Sequence, residues 1–467
     1  MEEKASATEG LRVDWVDPLP LFAPNRFDFA AKSLYIRFRE GGIDSDWGRQ
    51  VYRLHLSLWN GFIEKFPPKN CEADFVDAFD GILESTRTAP QEGLPSLIPL
   101  TRDGVPLNGA HRITAAAQFG KKVACVRTDI HSTQFNWDYR YFRRLADAAA
   151  RAEAEDAFDA MALELCRLLP RIAIAVIFPA AKGRGSDVER ILAEHSRIHY
   201  RRDAEFRREG RVHLMRTLYE REPWLGDHAD GFSGARNKAA ACFPRPGSAQ
   251  FFLLAYDDAS ELVRAKARVR ELFGVGNHSI HITDTRDEAL RAARLAFSRN
   301  SIAVVNRRPV RLLSNFETLF AEYRRILVSH PNDEDFCIDG GGVMAANGIR
   351  DCGDLDYIHH RGPLPEGIDA RICENNGHAR HHRGKTLDDI IFDHRNHFYW
   401  QGLKFTSLEN LRGWKLSRGQ ARDHRDIAAI DAFVARGPVA AFARRWRGMA
   451  GYLKRTSRNA INRLREN

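Results

Sequence analysis

The sequence predicts a multidomain protein of mixed α/β and α+β class, and three observations predict it. At 467 residues the chain is long enough for two to four domains of about 100–200 residues each. Between residues 171 and 329 strand-like and helix-like patterns alternate, which marks an α/β unit. Residues 335–358, DFCIDGGGVMAANGIRDCGDLDYI, read as a strand, a glycine turn, a helical turn and a second strand, the start of an α+β unit. No repeat with a period of about 20–50 residues is visible, which excludes a solenoid.

The elements follow in order. Residues 44–86 carry helical spacing through Trp47, Val51, Leu54 and Leu58, then Phe75, Phe79 and Leu83. Residues 95–126 read strand, turn, strand, helix, strand. The Ala- and acid-rich stretch 145–168 predicts a connecting helix at a domain boundary. Beyond it, 172–178, 249–256, 279–283 and 302–305 are strand-like, and 260–273 and 286–298 have helical periodicity. The expected domains are therefore 1–145, a linking helix 146–168, 169–329, 330–435, and a basic tail 436–467.

Composition narrows the class. Hydrophobic residues at 43% and charged residues at 28% are ordinary globular values. The most apolar run, residues 172–181, is too short for a span of about 20 residues. The polar, acidic start lacks the basic-then-apolar pattern of a signal peptide. Seven scattered cysteines fit a reducing cytosol better than a disulfide framework. The net charge of +9 is uneven: residues 436–467 carry nine basic residues against Glu466 alone, a net +8, leaving +1 for the rest. A uniformly basic nucleic-acid binder is thus not expected.

The most informative stretch is 335–358. Glycines at a strand-to-helix junction, Gly340 to Gly342, let a phosphate approach backbone N–H groups. Strand alternation places Asp354 and Asp356 on one face, with Leu355 and Tyr357 on the other. Two carboxylates beside a phosphate cradle can hold one or two Mg²⁺ (or Mn²⁺) ions for phosphoryl or nucleotidyl transfer. The plain alternative is a glycine turn with two solvated strand-end acids. Arg350 and Lys404 are candidates to neutralise triphosphate charge, or ordinary surface cations. Seven histidines between 359 and 397 invite a zinc reading, but no ligand spacing organises them.

This arrangement resembles the nucleotidyltransferase superfamily of the polymerase-β type, where an apolar residue and two small residues precede Asp-apolar-Asp by a spacer of about ten. Its abortive-infection subgroup carries Arg and, two residues on, Ser or Thr before the first Asp. Arg350 matches, and Cys352 departs from Ser or Thr. Downstream, Lys415, Arg418, Asp423 and Asp426 match most of the subgroup's Lys-x-x-Arg and Asp-x-x-Asp-Ile pattern, with Arg422 where Lys is usual. The resemblance implies a nucleotidyltransferase fold over 330–435, NTP as substrate, and Gly340, Gly341 and Lys415 at the nucleotide. It also implies a third catalytic acid. Asp369, in the strand-like stretch 367–373, is first by order, with Asp389 and Asp393 in reserve.

The second motif is 98–126, where Asn108-Gly109-Ala110-His111-Arg112 opens an Ala-rich helix. Gly109, His111 and Arg112 at a helix start make a candidate phosphate site, or a local cap. The stretch resembles the ParB/sulfiredoxin-like fold. Ala110 replaces the sulfiredoxin cysteine, so redox chemistry is not expected, and the Ala110-His111 pair departs from the partition proteins' acid and second arginine. Nucleotide or phosphate binding remains, or kinase chemistry as in ParB-like amino-acid kinases.

Two weaker features sit between these motifs. Residues 231–238 resemble a phosphate loop only loosely. In 277–288, His281 and Asp284 are candidates for a sugar- or phosphate-binding edge, and Thr285 with Glu288 forms a capping box.

The tail has an apolar stripe through Val439, Phe442, Trp446, Met449, Leu453, Ala460 and Leu464 with arginines elsewhere. Such a helix lies on an anionic membrane through 437–467, docks on its own domain or a partner, or meets RNA phosphates.

The expected function is a Mg²⁺-dependent nucleotidyltransferase moving NMP from an NTP to a hydroxyl or phosphate acceptor, a sugar phosphate or lipid-linked glycan of bacterial surface-polysaccharide assembly. The expected location is the cytoplasm, peripheral at the inner face of the membrane. The alternatives are a toxin-like nucleotidyltransferase acting on RNA or protein, and a ParB-like kinase or non-catalytic nucleotide-binding module.

Overall fold

The computed structural model describes residues 12–90, 96–131, 136–146, 151–328, 330–365 and 367–435, and the expected tail helix at 436–467 lies outside them. The architecture is mixed α/β, built on three main sheets and a short hairpin at Glu64–Lys65 and Pro68–Lys69.

In the first unit Val123–Arg127 is the middle strand of three, antiparallel to Val13–Val16 and parallel to Ile98–Leu100. Parallel neighbours need a crossover, which the helix Ala110–Phe119 supplies. Helices Asp28–Glu40, Trp47–Trp59 and Glu72–Thr88 close around it, burying Tyr35, Tyr52, Phe75, Phe79 and Leu83 together.

The second sheet follows the order Arg197–Glu205, Ser248–Ala255, Ile172–Ile177, Ile280–Ile282, with every pairing antiparallel. Helices Gly185–His195 and Ala259–Phe273 complete a split β-α-β-β-α-β unit. Two further helices, Arg208–Leu218 and Ser233–Cys242, are inserted between its second and third strands. Ala173, Ala175 and Ile177 pack under the first helix pair, while Ile172, Ile174 and Val176 face the main core. Burial on both faces explains why this strand is an unbroken apolar run.

The third sheet has five strands in the order Ile372–Glu374, Leu355–His359, Phe336–Ile338, Leu403–Thr406, His397–Trp400. Phe336–Ile338, its centre, is antiparallel to Leu355–His359 and parallel to Leu403–Thr406.

Two local expectations are corrected. Residues 302–305 are helical, within Arg299–Arg307, because Ser298 caps that helix by accepting from Ser301 N–H at 3.2 Å. The β-branched pattern there reflects Val304 and Val305 buried on one helical face. In the stretch around Asp369 only Ile372–Glu374 pairs as a strand. The helix expected as a connector, Arg151–Leu168, buries Ala154, Ala157, Phe158, Met161 and Leu165, and one apolar core runs continuously from Leu21 to Ile430. All seven cysteines are free thiols. Among the described residues no helix is long and apolar enough to cross a membrane.

Candidate functional site

The site is built where the buried strand Phe336–Ile338 ends. Asp339 follows, then Gly340 at φ +61°, and the helix Gly340–Ala346 begins. That φ is the left-handed region that an L side chain resists. A methyl group on Gly340 would also overlap Asp356 Oδ2 and stand 3.2 Å from its Cβ and Cγ. Glycine is therefore required twice, by the turn and by the carboxylate lying against it. On Gly341 a methyl would sit 3.8 Å from Asp354 Oδ1, so both acids flank the head of the helix. Asp339 N–H donates to the Asp356 carbonyl at 2.9 Å, which ties turn to strand.

The structure brings Gly340, Gly341, Asp354 and Asp356 together. Asp354 is exposed and Asp356 half-buried. Among the described residues neither acid forms an ion pair. Asn375 Nδ2 donates to Asp356 Oδ1 at 3.1 Å. Burial raises the Asp356 pKa, and the neighbouring Asp354 and Asp339 charges push the same way. A cation bound at the pair would relieve that repulsion.

Behind the pair, Asp339 is fully buried. Its Oδ2 faces His378 Nδ1 at 3.1 Å and His382 Nε2 at 3.3 Å, and its Oδ1 has no partner. Desolvation is outweighed by these two imidazoles, and the carboxyl sits well below the usual carboxylate range. Both rings pack near Trp414, His378 at 4.4 Å between centroids. Among the described residues no group of three or more His, Cys, Asp or Glu is disposed to hold a metal ion. The donor set instead suits Mg²⁺, which is commonly held by one or two carboxylates together with substrate phosphates.

The other predicted residues lie elsewhere or are engaged. Arg350 forms a bidentate pair with Asp426 at 2.8 and 2.9 Å. Lys415 reaches Asp426 at 2.8 Å and Asp423 at 3.4 Å, and Arg418 binds Asp423 at 2.6 Å. These pairs clamp helices Leu408–Arg418 and Ala421–Ala435 to the loop before Asp354. Lys404 is buried beside Phe392 and Tyr399, with Nζ on the Glu334 carbonyl at 2.7 Å and its carboxylate at 2.9 Å. It does not join the acid pair.

Asp369 precedes its strand and is held by Arg371 at 2.6 Å, which lowers its pKa to about 2. Asp389 caps the helix Leu387–Phe392 through Thr386, and Asp393 pairs with Arg395. On the strand beside Asp356 the register partner is Cys373, and Asn375 follows two residues on. After Asp354, the acid that raises the Asp356 pKa is Asp339, which stands in the sequence between an apolar strand and three glycines.

At the first motif Gly109 takes φ +81° and opens the helix as expected of a glycine. His111 points between helices, where Nε2 meets Tyr52 OH at 2.8 Å and the ring lies 4.4 Å from Phe79. Burial holds its imidazole well below the ordinary pKa. Arg112 bonds the Ser96 hydroxyl and the Leu97 carbonyl. Deeper in the unit is an ionic group that the sequence did not signal. Asp28 accepts from Arg26 and Lys32 at 2.9 Å, and Lys32 Nζ meets His55 Nε2 at 3.1 Å, all buried.

Neither a protein-family model, a curated protein nor a solved structure matches the chain.

Proposed function

We propose that the protein is a Mg²⁺-dependent nucleotidyltransferase, with residues 330–435 as a polymerase-β-type nucleotidyltransferase fold and residues 90–130 as a ParB/sulfiredoxin-like module. The observation that carries the reading is the pair Asp354 and Asp356, in no ion pair among the described residues and flanking Gly340 and Gly341 at a strand-to-helix turn. Asp354 and Asp356 hold the metal, and the Gly340 and Gly341 backbone lies along the NTP phosphates. Bound there, Mg²⁺ supplies positive charge against the triphosphate and the developing pyrophosphate. The acceptor oxygen bonds to the α-phosphorus, the bond to pyrophosphate breaks, and the acceptor proton leaves to solvent. Asp339, fixed by His378 and His382, keeps the strand end and the Asp356 backbone in register. Arg350 and Lys415 act through Asp426, fixing the loop that carries Asp354.

The acceptor proposed is a sugar phosphate or lipid-linked glycan, with the tail 437–467 placing the protein at the inner face of a membrane. A second reading, a nucleotide-binding module without turnover, is favoured by Asn375 and Cys373 standing where a carboxylate beside Asp356 would be expected.

Incubation with each α-labelled NTP and Mg²⁺, with sugar phosphates, lipid-linked glycans and tRNA offered as acceptors, tests these readings. Label on the sugar or glycan supports the proposal. Label on tRNA or on protein supports a toxin-like enzyme. Nucleotide binding without turnover supports the second reading.

A further inference from the structure

Two stretches flagged separately in the sequence, 231–238 and 277–288, line one cleft of about 610 Å³ in the central unit. Gly231 and Phe232, at φ +65° and +56°, turn the chain into the helix Ser233–Cys242. Gly234 lies so close to the Trp224 carbonyl that a methyl group there would overlap it. The helix is therefore pressed against the Pro223–Leu225 turn. Tyr219 and Trp224 form one wall, with ring centroids 5.2 Å apart and Trp224 42% exposed.

Cations converge on this wall. Lys238 Nζ donates to the Asn277 carbonyl at 2.7 Å and lies 5.5 Å from the Tyr219 ring centroid. Helix Ala259–Phe273 contributes Lys266 and Arg270. Three acids line the cleft as well, Glu222, Asp284 and Glu288; Asp284 stands 3.6 Å from Lys266, and Glu288 accepts the Asp284 N–H at 2.9 Å.

At the base, His281 is 6% exposed and packs on Tyr219 at 4.6 Å, yet its Nε2 has no partner. The buried Arg270 Nε also has none. Burial first, then the charges of Lys266, Lys238 and Arg270, lower the His281 pKa to about 3, so the ring is neutral and the field around it positive. Buried polar atoms left without partners are costly, and here three of them, His278 Nδ1 included, border one cleft of ligand size.

We propose that this cleft binds a phosphomonoester carried on a ring, a sugar phosphate or nucleoside monophosphate, with the phosphate at Lys238, Arg270 and His281 and the ring against Tyr219 and Trp224. The assignment is independent of NMP transfer, because these residues belong to a different sheet unit from Asp354 and Asp356.

Equilibrium dialysis tests it on the full chain carrying Asp354→Asn and Asp356→Asn, without added metal, against radiolabelled glucose 1-phosphate and, separately, AMP. Saturable one-to-one binding of at least one probe is expected, competed by inorganic phosphate and weakened at least tenfold by Lys238→Gln with Arg270→Gln. The probe held more tightly distinguishes sugar from nucleoside. Trp224→Ala, at the exposed rim, weakens the same probe severalfold and decides the matter where the double charge variant fails to fold. No saturable binding of either probe overturns the proposal, as does binding unchanged in the folded variants.

Discussion

Replacing Gly340 with alanine separates the stability of the site from its activity. Holding alanine at φ +61° costs about 1–2 kcal/mol, and the stiffer unfolded chain returns about 0.4–1 kcal/mol. The net loss is about 1 kcal/mol, a shift of at most about 3 °C in Tm for a chain of this size. The local effect is larger. The new methyl group overlaps Asp356 Oδ2, and Asp356 cannot pass through the backbone that fixes it by the Asp339 N–H bond. The carboxylate must retreat by about 1 Å, and a displacement of that size at a reacting centre lowers turnover about 100-fold. Gly413→Ala is the control, because it lies within the helix Leu408–Arg418 and its methyl would meet nothing within 4 Å. Turnover of labelled NTP and thermal melting, measured on both variants, give the result. Gly340→Ala retaining a third or more of the wild-type rate, with an unchanged Tm, would refute the argument.

Asp423 is a pH-dependent clamp. Desolvation pushes its pKa up, but Arg418, the Gln420 N–H and Lys415 outweigh it and hold the value at about 2, below the ordinary 3.8. Its stabilisation is therefore full above about pH 4 and fades as pH falls toward 2, so Asp423→Asn flattens the acid limb of a urea-midpoint profile over that window. Asp339→Asn removes the charged acceptor of two buried histidines; a loss of about 2–3 kcal/mol is expected, read from denaturant unfolding. Deleting residues 437–467 leaves NTP turnover in solution unchanged and abolishes cosedimentation with anionic vesicles. Equal sedimentation of the truncated chain rejects the membrane role.

The glycine turn and the closeness of Asp354 to Asp356 were legible because both are local: positive φ selects glycine, and the acids are two residues apart. The strand starts at Leu355, however, so alternation within it does not place Asp354. The α/β alternation of the central unit was legible because it too is local. What was not legible depends on contacts distant in sequence. Arg350 and Lys415 have the chemistry of phosphate ligands, and only the fold of the last two helices reveals Asp426 and Asp423 as their partners. Lys404 lies on the strand next to Phe336–Ile338, yet its side chain turns to Glu334. His378 and His382 belonged to a run without metal spacing, and their common partner, Asp339, lies some forty residues earlier. The helix at 299–307 was obscured by β-branched residues whose burial, not backbone preference, placed them there.

If Asp354 and Asp356 seat Mg²⁺-dependent transfer, pyrophosphate release depends on both. The wild-type chain and the Asp354→Asn, Asp356→Asn variant, both verified as folded, are compared with all four NTPs in the presence and absence of Mg²⁺. Release is expected from the wild type only with Mg²⁺, with background rates in the variant. Release that persists in the variant, or that is indifferent to Mg²⁺, would contradict that role for the pair.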